Sequence, residues 1–472
     1  MSYIFSMKEY FDNLFKDVDK NIYLDEEQRN VILDDSKYLM VIAGAGSGKT
    51  TTMSAKVKYL VEIKKVDPKS IALISFTNKA VEELKQRINK DFNIPCDIST
   101  FHSLAYKILK QSGKKYEIMT FPQEIINNYF KTNKKEVKTL KNPQYSLEFI
   151  NLYKNNKIVF RNKTKKIKAL LNLYDYYINY MKENNLIDFE DMINMCYEEL
   201  KKNKIEIKYE YIIIDEFQDI SLNRYKLIEL ISEISNAKII VVGDDWQAIF
   251  SFAGSDVNLF HEFSKKANVL KITNTYRNSQ ELIDIAGFFV MKNNSQIKKQ
   301  LKSNKNLKKV INIVSCFKKV RSLCKVIDML VKEYGLNQKI LVISRYKFDI
   351  NNYIDNKRLI KKDSKIIYSK YKNLNITFLT IHASKGLGYD NVIILNLNKS
   401  EYGFPSLKKT DKIKKLLINS EDNYLYAEER RLFYVALTRT KNKVYILYDI
   451  GKKSIFIKEL NKYKQINNKI II

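Results

Sequence analysis

Apolar positions in this chain fall into two patterns, and the patterns alternate. Short unbroken runs of aliphatic and β-branched residues stand at residues 38–42, 71–76, 211–214 and 238–242. They are too short for buried helices and lack the in/out alternation of a strand with one wet face, so each predicts a strand covered on both sides. Helical spacing follows at 78–88 and 222–234, which supplies the crossovers that a parallel sheet needs. A second series of runs begins near residue 310, at 310–314, 340–344, 376–380, 392–397 and 444–448. The expected fold is α/β, with two such domains. Residues 103–187 read differently, as long helical stretches rich in Lys, Asn, Tyr and Leu with no strand run. They predict one all-helical insertion at 104–187, dividing a first domain at 1–103 and 188–271 from a second at 272–472.

Composition narrows the function classes. With 472 residues, 45% of them hydrophobic and 12% aromatic, the chain can bury large cores and is not a disordered tail. Its net charge of +30 points to a polyanionic partner, nucleic acid first. An AT-rich genome would enrich Lys, Asn, Ile and Tyr and give the same charge, so charge alone leaves both readings open. Only 11 of the 83 basic residues are Arg, however, which makes each Arg more informative than a Lys. The helical insertion carries 17 Lys and Arg against 6 Asp and Glu. Cys96, Cys196, Cys316 and Cys324 are scattered without a C-x-x-C pair, which argues against a zinc ribbon, an iron–sulfur cluster or a disulfide frame. No run reaches membrane-spanning length, and a soluble cytoplasmic protein with no membrane partner is expected.

Two motifs carry chemistry. Ala43-Gly44-Ala45-Gly46-Ser47-Gly48-Lys49-Thr50-Thr51 follows the first apolar run directly, so a strand feeds a glycine-rich loop that opens a helix. Small residues let backbone N–H groups close around a triphosphate, with Lys49 reaching the β/γ-phosphates and the Thr50 hydroxyl placed for Mg²⁺. The third run ends in Asp215-Glu216-Phe217-Gln218-Asp219, at the carboxyl end of a strand where α/β sheets bind ligands. There Asp215 can hold the metal, and Glu216 can take a proton from the water that attacks the γ-phosphate.

These and further motifs make the chain resemble the superfamily 1A helicases of the UvrD/Rep/PcrA type, nearest the helicase IV kind, over residues 20–450. In family order they are Leu24-Asp25-Glu26-Glu27-Gln28, the loop through Thr50, Ser75-Phe76-Thr77-Asn78, Thr100-Phe101-His102-Ser103, Ile187-Asp188-Phe189-Glu190-Asp191 and Asp215 to Asp219. Then come Val242-Gly243-Asp244-Asp245-Trp246-Gln247-Ala248-Ile249-Phe250, Thr275-Tyr276-Arg277, Thr380-Ile381-His382-Ala383-Ser384-Lys385-Gly386 and Glu428-Glu429-Arg430-Arg431 through Thr438-Arg439. The resemblance implies two RecA-like P-loop NTPase domains sharing one ATP site. It implies that Gln28 reads adenine while Tyr276 stacks on it, that Gln247 senses the γ-phosphate, and that Arg277 and Arg439 act as charge-stabilising fingers. Phe76, Phe250 and Phe252 match base-stacking positions, and Thr77, His102 and His382 match backbone contacts; for Phe250 and Phe252 a place in the core, and for the histidines a structural hydrogen bond, stay open.

The implied activity is an ATP- and Mg²⁺-dependent translocase and helicase on single-stranded DNA and single/double-strand junctions, moving 3′ to 5′. The alternative is a DNA-stimulated ATPase subunit of a repair or phage-defence assembly, beside a nuclease, that does not unwind alone. Two departures stand out: Gly388 where many relatives have Glu, which puts ribose discrimination in doubt, and Ala253 where many have Arg. The short stretch at 345–375 leaves room for a loop and one helix, so the second helical insertion of larger relatives is expected to be absent or vestigial. No cluster resembling a fused nuclease follows residue 440, and no nuclease activity is expected.

Overall fold

In the computed structural model, residues 2–113, 115–156, 158, 160, 163–202, 205–408, 412–417, 422 and 424–471 are described. The strands of the first unit are β1 (Tyr38–Ala43), β2 (Ile71–Ser75), β3 (Asp97–Thr100), β4 (Glu117–Ile118), β5 (Leu186–Ile187), β6 (Tyr211–Ile214), β7 (Lys238–Gly243) and β8 (Asn268–Ile272). Six of them form one sheet in the order β3-β2-β6-β7-β1-β8, every pairing parallel. Burial on both faces follows the pleat. Met40 and Ile42 of β1 join Ile74, Ile212, Ile214, Ile239 and Val241 on one side, while Leu39, Val41 and Ala43 join Leu73, Ile213, Ile240 and Val242 on the other. The edge strands β3 and β8 were not legible as apolar runs. They read Asp-Ile-Ser-Thr and Asn-Val-Leu-Lys-Ile, because an edge is wet on part of its surface and needs fewer apolar residues.

The second unit holds β9 (Ile311–Cys316), β10 (Lys339–Ser344), β11 (Leu359–Lys362), β12 (Lys365–Tyr368), β13 (Tyr371–Thr380), β14 (Asn391–Ile394), β15 (Val444–Asp449) and β16 (Asn467–Ile471). Their order is β11-β12-β13-β10-β14-β15-β9-β16, parallel except at the β11/β12 and β12/β13 pairings. The 345–375 segment therefore differs from the loop and helix expected of it. It is a 3₁₀ turn at Lys347–Tyr353 followed by an antiparallel extension of the sheet. Its period-2 alternation is hidden among lysines, yet Leu359, Ile366, Tyr368, Leu374 and Ile376 all turn inward onto the core of the second unit.

Helices Gln123–Thr132, Lys134–Leu140, Pro143–Asn156 and Lys165–Glu183 pack around their own core, with Ile126, Phe149, Ile150, Leu170, Leu173 and Tyr177 buried at its centre. Two side chains from the second unit, Ile413 and Leu417, enter that core. Helix Phe101–Gln111 runs past the boundary expected at residue 103. Its Leu104, Ala105, Ile108 and Leu109 belong under the first sheet, because amphipathic spacing cannot show which of two cores a face will meet.

The helical segment is tied to the first sheet by a buried charge cluster. Lys154 Nζ lies 2.6 Å from Asp188 Oδ2 and 2.8 Å from Asp191 Oδ1, and Tyr177 Oη donates to Asp188 at 2.8 Å. Asp188 also caps helix Phe189–Lys201 by accepting the Asp191 N–H. The Ile187 to Asp191 motif is thus a joint. Lys154→Ala should lower stability by about 3–5 kcal/mol in urea unfolding, because it strands a buried carboxylate. The pair Lys154→Met/Asp188→Asn, which keeps the cap and removes the stranded charge, should lose distinctly less.

Candidate nucleotide site and nucleic-acid face

Because the first sheet is parallel, every strand delivers its following loop to one edge. β1 gives the glycine-rich loop, β6 gives Asp215 and Glu216, β7 gives Asp244 to Phe250, β2 gives Phe76, and β3 gives His102. Gly46 and Gly48 have φ of 74° and 80°, the left-handed region that a side chain disfavours. Space demands glycine as well: a Cβ on Gly46 would stand 2.5 Å from Cβ of Arg277, and one on Gly48 would stand 2.8 Å from Gln28 Nε2. The hydroxyl of buried Ser47 has no hydrogen-bond partner inside the protein. The loop is a concave cradle with Arg277 and Gln28 already over it, and it leads into helix Lys49–Glu62.

Lys49 Nζ lies 3.7 Å from Glu216 Oε1. Glu216 itself has a φ of 52°, rare for a residue with a side chain, and its N–H donates to Asp215 Oδ1 at 2.9 Å. The two adjacent carboxyls are pushed apart in acidity. Burial, and then the charge of Glu216, raises Asp215. Burial would raise Glu216 too, but Lys49 and Lys385 outweigh it and hold that carboxyl below its ordinary range. The result is one ionised carboxylate beside the phosphate cradle and one that gains from a cation.

The second unit reaches into this site. Lys385 lies 3.8 Å from Glu216 Oε2, donates to the Gln247 carbonyl at 2.8 Å and pairs with buried Asp219. Arg439 is only 1% exposed; its Nη2 donates to Gln247 Oε1 at 3.1 Å, and Nε and Nη1 donate to the carbonyls of Val435 and Leu387. Gln247 is held from the other end as well, donating from Nε2 to Asp244 Oδ2 at 2.5 Å. Arg277 is partly buried and donates to the Gly386 carbonyl at 3.4 Å.

Gln28 and Tyr276 meet at the same end of the loop. Gln28 accepts from the Asp25 N–H at 3.0 Å and donates to the Ser47 carbonyl at 3.2 Å, which leaves one amide proton and one lone pair free. Tyr276 is 51% exposed, and its hydroxyl donates to Asp25 at 2.9 Å, so a flat ring face stays open beside that amide. Thr51, by contrast, has its hydroxyl engaged by Arg87 at 2.8 Å on the far side of the helix start.

The residues expected to touch DNA fall into two groups. Phe76, half-buried on Phe101, sits near Arg224, and His102 lies 5.2 Å from the exposed ring of Phe189. Thr77 is exposed and caps helix Asn78–Lys85. In the second group Phe250 and Phe252 lie 5.9 Å apart, and His382 packs edge-on to Phe252 at 5.4 Å. Phe252 is 52% exposed, whereas Phe250 leans on the core of the second unit.

Residues 24–268 match the UvrD/REP helicase N-terminal domain, more than half of the chain. This chain belongs to the UvrD/Rep helicase family. It is 28% identical over 509 residues to DNA helicase IV of Escherichia coli strain K12, covering 96% of this chain and 72% of that protein. It is 27% identical to the ATP-dependent DNA helicase Rep of Buchnera aphidicola from Acyrthosiphon pisum, covering 82% of this chain and 65% of the relative. A probable DNA helicase of Mycoplasma pneumoniae is 28% identical, with 93% of this chain and 85% of that protein covered. Among the described residues no helix is long and apolar enough to cross a membrane.

The helicase site also contains groups that the sequence did not single out. Lys299 is fully buried, donating to Asp245 Oδ1 at 2.6 Å and to Asp244, with the Trp246 ring 4.4 Å from its Nζ. Burial alone would strip its charge, but the two aspartates outweigh burial and keep it protonated. Through Asp244 it fixes the amide of Gln247, whose other end faces Arg439. Glu428 accepts from the Ser251 N–H at 3.1 Å and from its hydroxyl at 2.5 Å, which clamps the loop bearing Phe250 and Phe252 to the second unit. In a chain where Lys is the ordinary surface residue, Lys299 had no signal to set it apart.

His102 and His382 are both held as neutral imidazoles, pushed down to about 4 from an ordinary 6.5 by burial and then by Arg224 or Arg345. Between these values the unfolded chain binds protons that the folded chain refuses, so this contribution is complete above pH 6.5 and is lost as pH falls toward 4. The drop in Tm between pH 7 and pH 5 should therefore be smaller in the His102→Asn/His382→Asn variant than in the native protein.

Proposed function

We propose that this chain is an ATP-dependent DNA helicase whose two α/β units close on one nucleotide and move along single-stranded DNA, 3′ to 5′. The observation that carries the reading is the bond from Arg439 to Gln247 beside Glu216. It brings a guanidinium of the second unit into the hydrolytic site of the first, three residues from Phe250. Nucleotide state and grip on the strand are then linked through one short segment.

The cradle of residues 44–51 would take the triphosphate, with Lys49 at its β/γ end. Gln28 and Tyr276 would hold the adenine by its edge and its face. Thr50 and Asp215 fit Mg²⁺, since the raised Asp215 carboxyl gains from a nearby cation; when bound, Mg²⁺ neutralises charge on the phosphates. Glu216, kept ionised by Lys49 and Lys385, accepts the proton of the attacking water. Arg439 and Arg277 meet the charge that develops on the transferred phosphoryl group. Phe76, Phe250 and Phe252 offer rings to bases, and Thr77, His102 and His382 offer polar groups to the backbone, a sequence-tolerant grip suited to translocation.

The small antiparallel extension at 345–375 favours a second reading, in which the chain is the DNA-stimulated ATPase of a repair or defence assembly and needs a partner to unwind. Strand displacement on 3′-tailed and 5′-tailed duplexes by purified protein separates the two. Displacement from the 3′ tail supports the helicase; DNA-stimulated turnover without displacement supports the subunit.

Glu216→Gln should abolish turnover while ATP and single-stranded DNA still bind, because the amide keeps the shape without accepting a proton. Arg439→Ala should slow DNA-stimulated turnover by roughly 10³-fold. Wild-type turnover in Glu216→Gln, or a two-fold loss in Arg439→Ala, would refute these roles.

A further inference from the structure

The site so far uses the rings at the edge of the first sheet and His382 from the second. Immediately beyond His382 lies a second group of rings. β10 and β13 are neighbours with Ser344 opposite Thr380, and the Ile381 N–H donates to the Ser344 carbonyl at 3.0 Å, so Arg345-Tyr346 and His382 leave adjacent strand ends side by side. Tyr346 and Phe348 are stacked, 5.2 Å between centroids and 9° from parallel, and Tyr402 meets both edge-on at 5.6 and 5.9 Å. Phe348 and Tyr402 remain 49% and 44% exposed.

Exposed rings of this size normally turn inward. Three held together at a surface are a patch that calls for an occupant. The cluster is also pre-organised: the Tyr346 hydroxyl is 2.7 Å from the Ser406 hydroxyl, and the Tyr346 N–H is capped by Asp349 at 3.0 Å. Its charge is positive at both ends. The Arg345 guanidinium lies 4.9 Å from the Tyr346 ring, and Lys408 Nζ lies 5.6 Å from the Tyr402 ring. Glu429 is turned toward Arg345 and the Ser406 N–H beneath the rings.

We propose that Tyr346, Phe348 and Tyr402 form a stacking platform for bases of single-stranded DNA, continuing the track of Phe250, Phe252 and His382 onto the second α/β unit. Flat rings with flanking cations and no fixed hydrogen-bond code suit a strand of any sequence. A wholly apolar protein segment would leave Arg345 and Lys408 without a counterpart; a nucleic-acid backbone supplies one. This rests on the helicase reading, and it adds a binding subsite to that reading.

The test is the affinity of the full chain for oligo(dT) of increasing length at fixed salt, with ATPase kcat at saturating oligo(dT) read in parallel. For the native protein, affinity should rise with length until the platform is reached. Phe348→Ala/Tyr402→Ala should bind the long oligonucleotides roughly tenfold more weakly. It should match the native protein on oligonucleotides too short to span both ring groups, and keep native kcat. Phe348→Tyr/Tyr402→Phe, which preserves the rings, should restore the long-oligonucleotide affinity. Unchanged affinity for long oligo(dT) in the alanine variant would overturn the proposal and leave the patch to a protein partner. Equal losses on short and long oligonucleotides would also overturn it, by showing a general defect. If the native chain fails to bind oligo(dT) at all, the helicase reading falls with it, which is a distinct result seen before any variant is made.

Discussion

The arrangement depends on a buried guanidinium that cannot be satisfied by its own unit. A charge removed from water is costly unless it is paired and hydrogen-bonded. Arg439 finds the carbonyls of Val435 and Leu387 and the hydroxyl of Thr438 locally, but its remaining acceptor, Gln247, lies on the other α/β unit. All these acceptors are neutral, and Arg277 nearby adds a second positive charge, so burial and that neighbour together disfavour the cation. A site built this way favours an anion between the units.

The same bond transmits. Gln247 is pinned at one end by Arg439 and at the other by Asp244, and Asp244 is pinned by fully buried Lys299. Rearranging any of these groups on loss of a phosphate would move the segment that carries Phe250 and Phe252. Glu428 grips that segment from the opposite side, through Ser251, and sits on the helix that ends just before Arg439. The rings for DNA and the finger for phosphate thus share a lever: helix Ala427–Leu437, closed at one end by Glu428 and followed at the other by Arg439.

How much of this was legible in the sequence depended on whether a residue stands out from its background. Apolar runs gave the central strands, because a strand covered on both faces has to be apolar throughout. The edges β3 and β8, and the hairpin β11/β12, were missed, since half-wet strands in a lysine-rich chain look like loops. In the site, glycines, adjacent carboxylates and rare arginines were conspicuous, whereas Lys299 and Lys385 were hidden by the abundance of Lys. Sequence spacing also could not show that Ile187 to Asp191 forms a joint. Its function depends on Lys154, which lies 34 residues away in sequence, and on the hydroxyl of Tyr177.

The departure at Gly388 acquires a physical meaning from its position. A Cβ built there would stand 3.1 Å from Nε of Arg277, so a longer acidic side chain at this position would lie against the guanidinium. Glycine leaves Arg277 with the Gly386 carbonyl at 3.4 Å as its hydrogen-bond acceptor among the described residues, a long contact from a neutral oxygen. The guanidinium, which Gly46 already brings into contact with the phosphate loop, is then less neutralised than a paired one would be. Its charge is directed at whatever anion the loop holds. The loss of a carboxylate at 388 therefore shifts Arg277 from a group balanced within its own unit toward one whose counter-charge is supplied by the nucleotide.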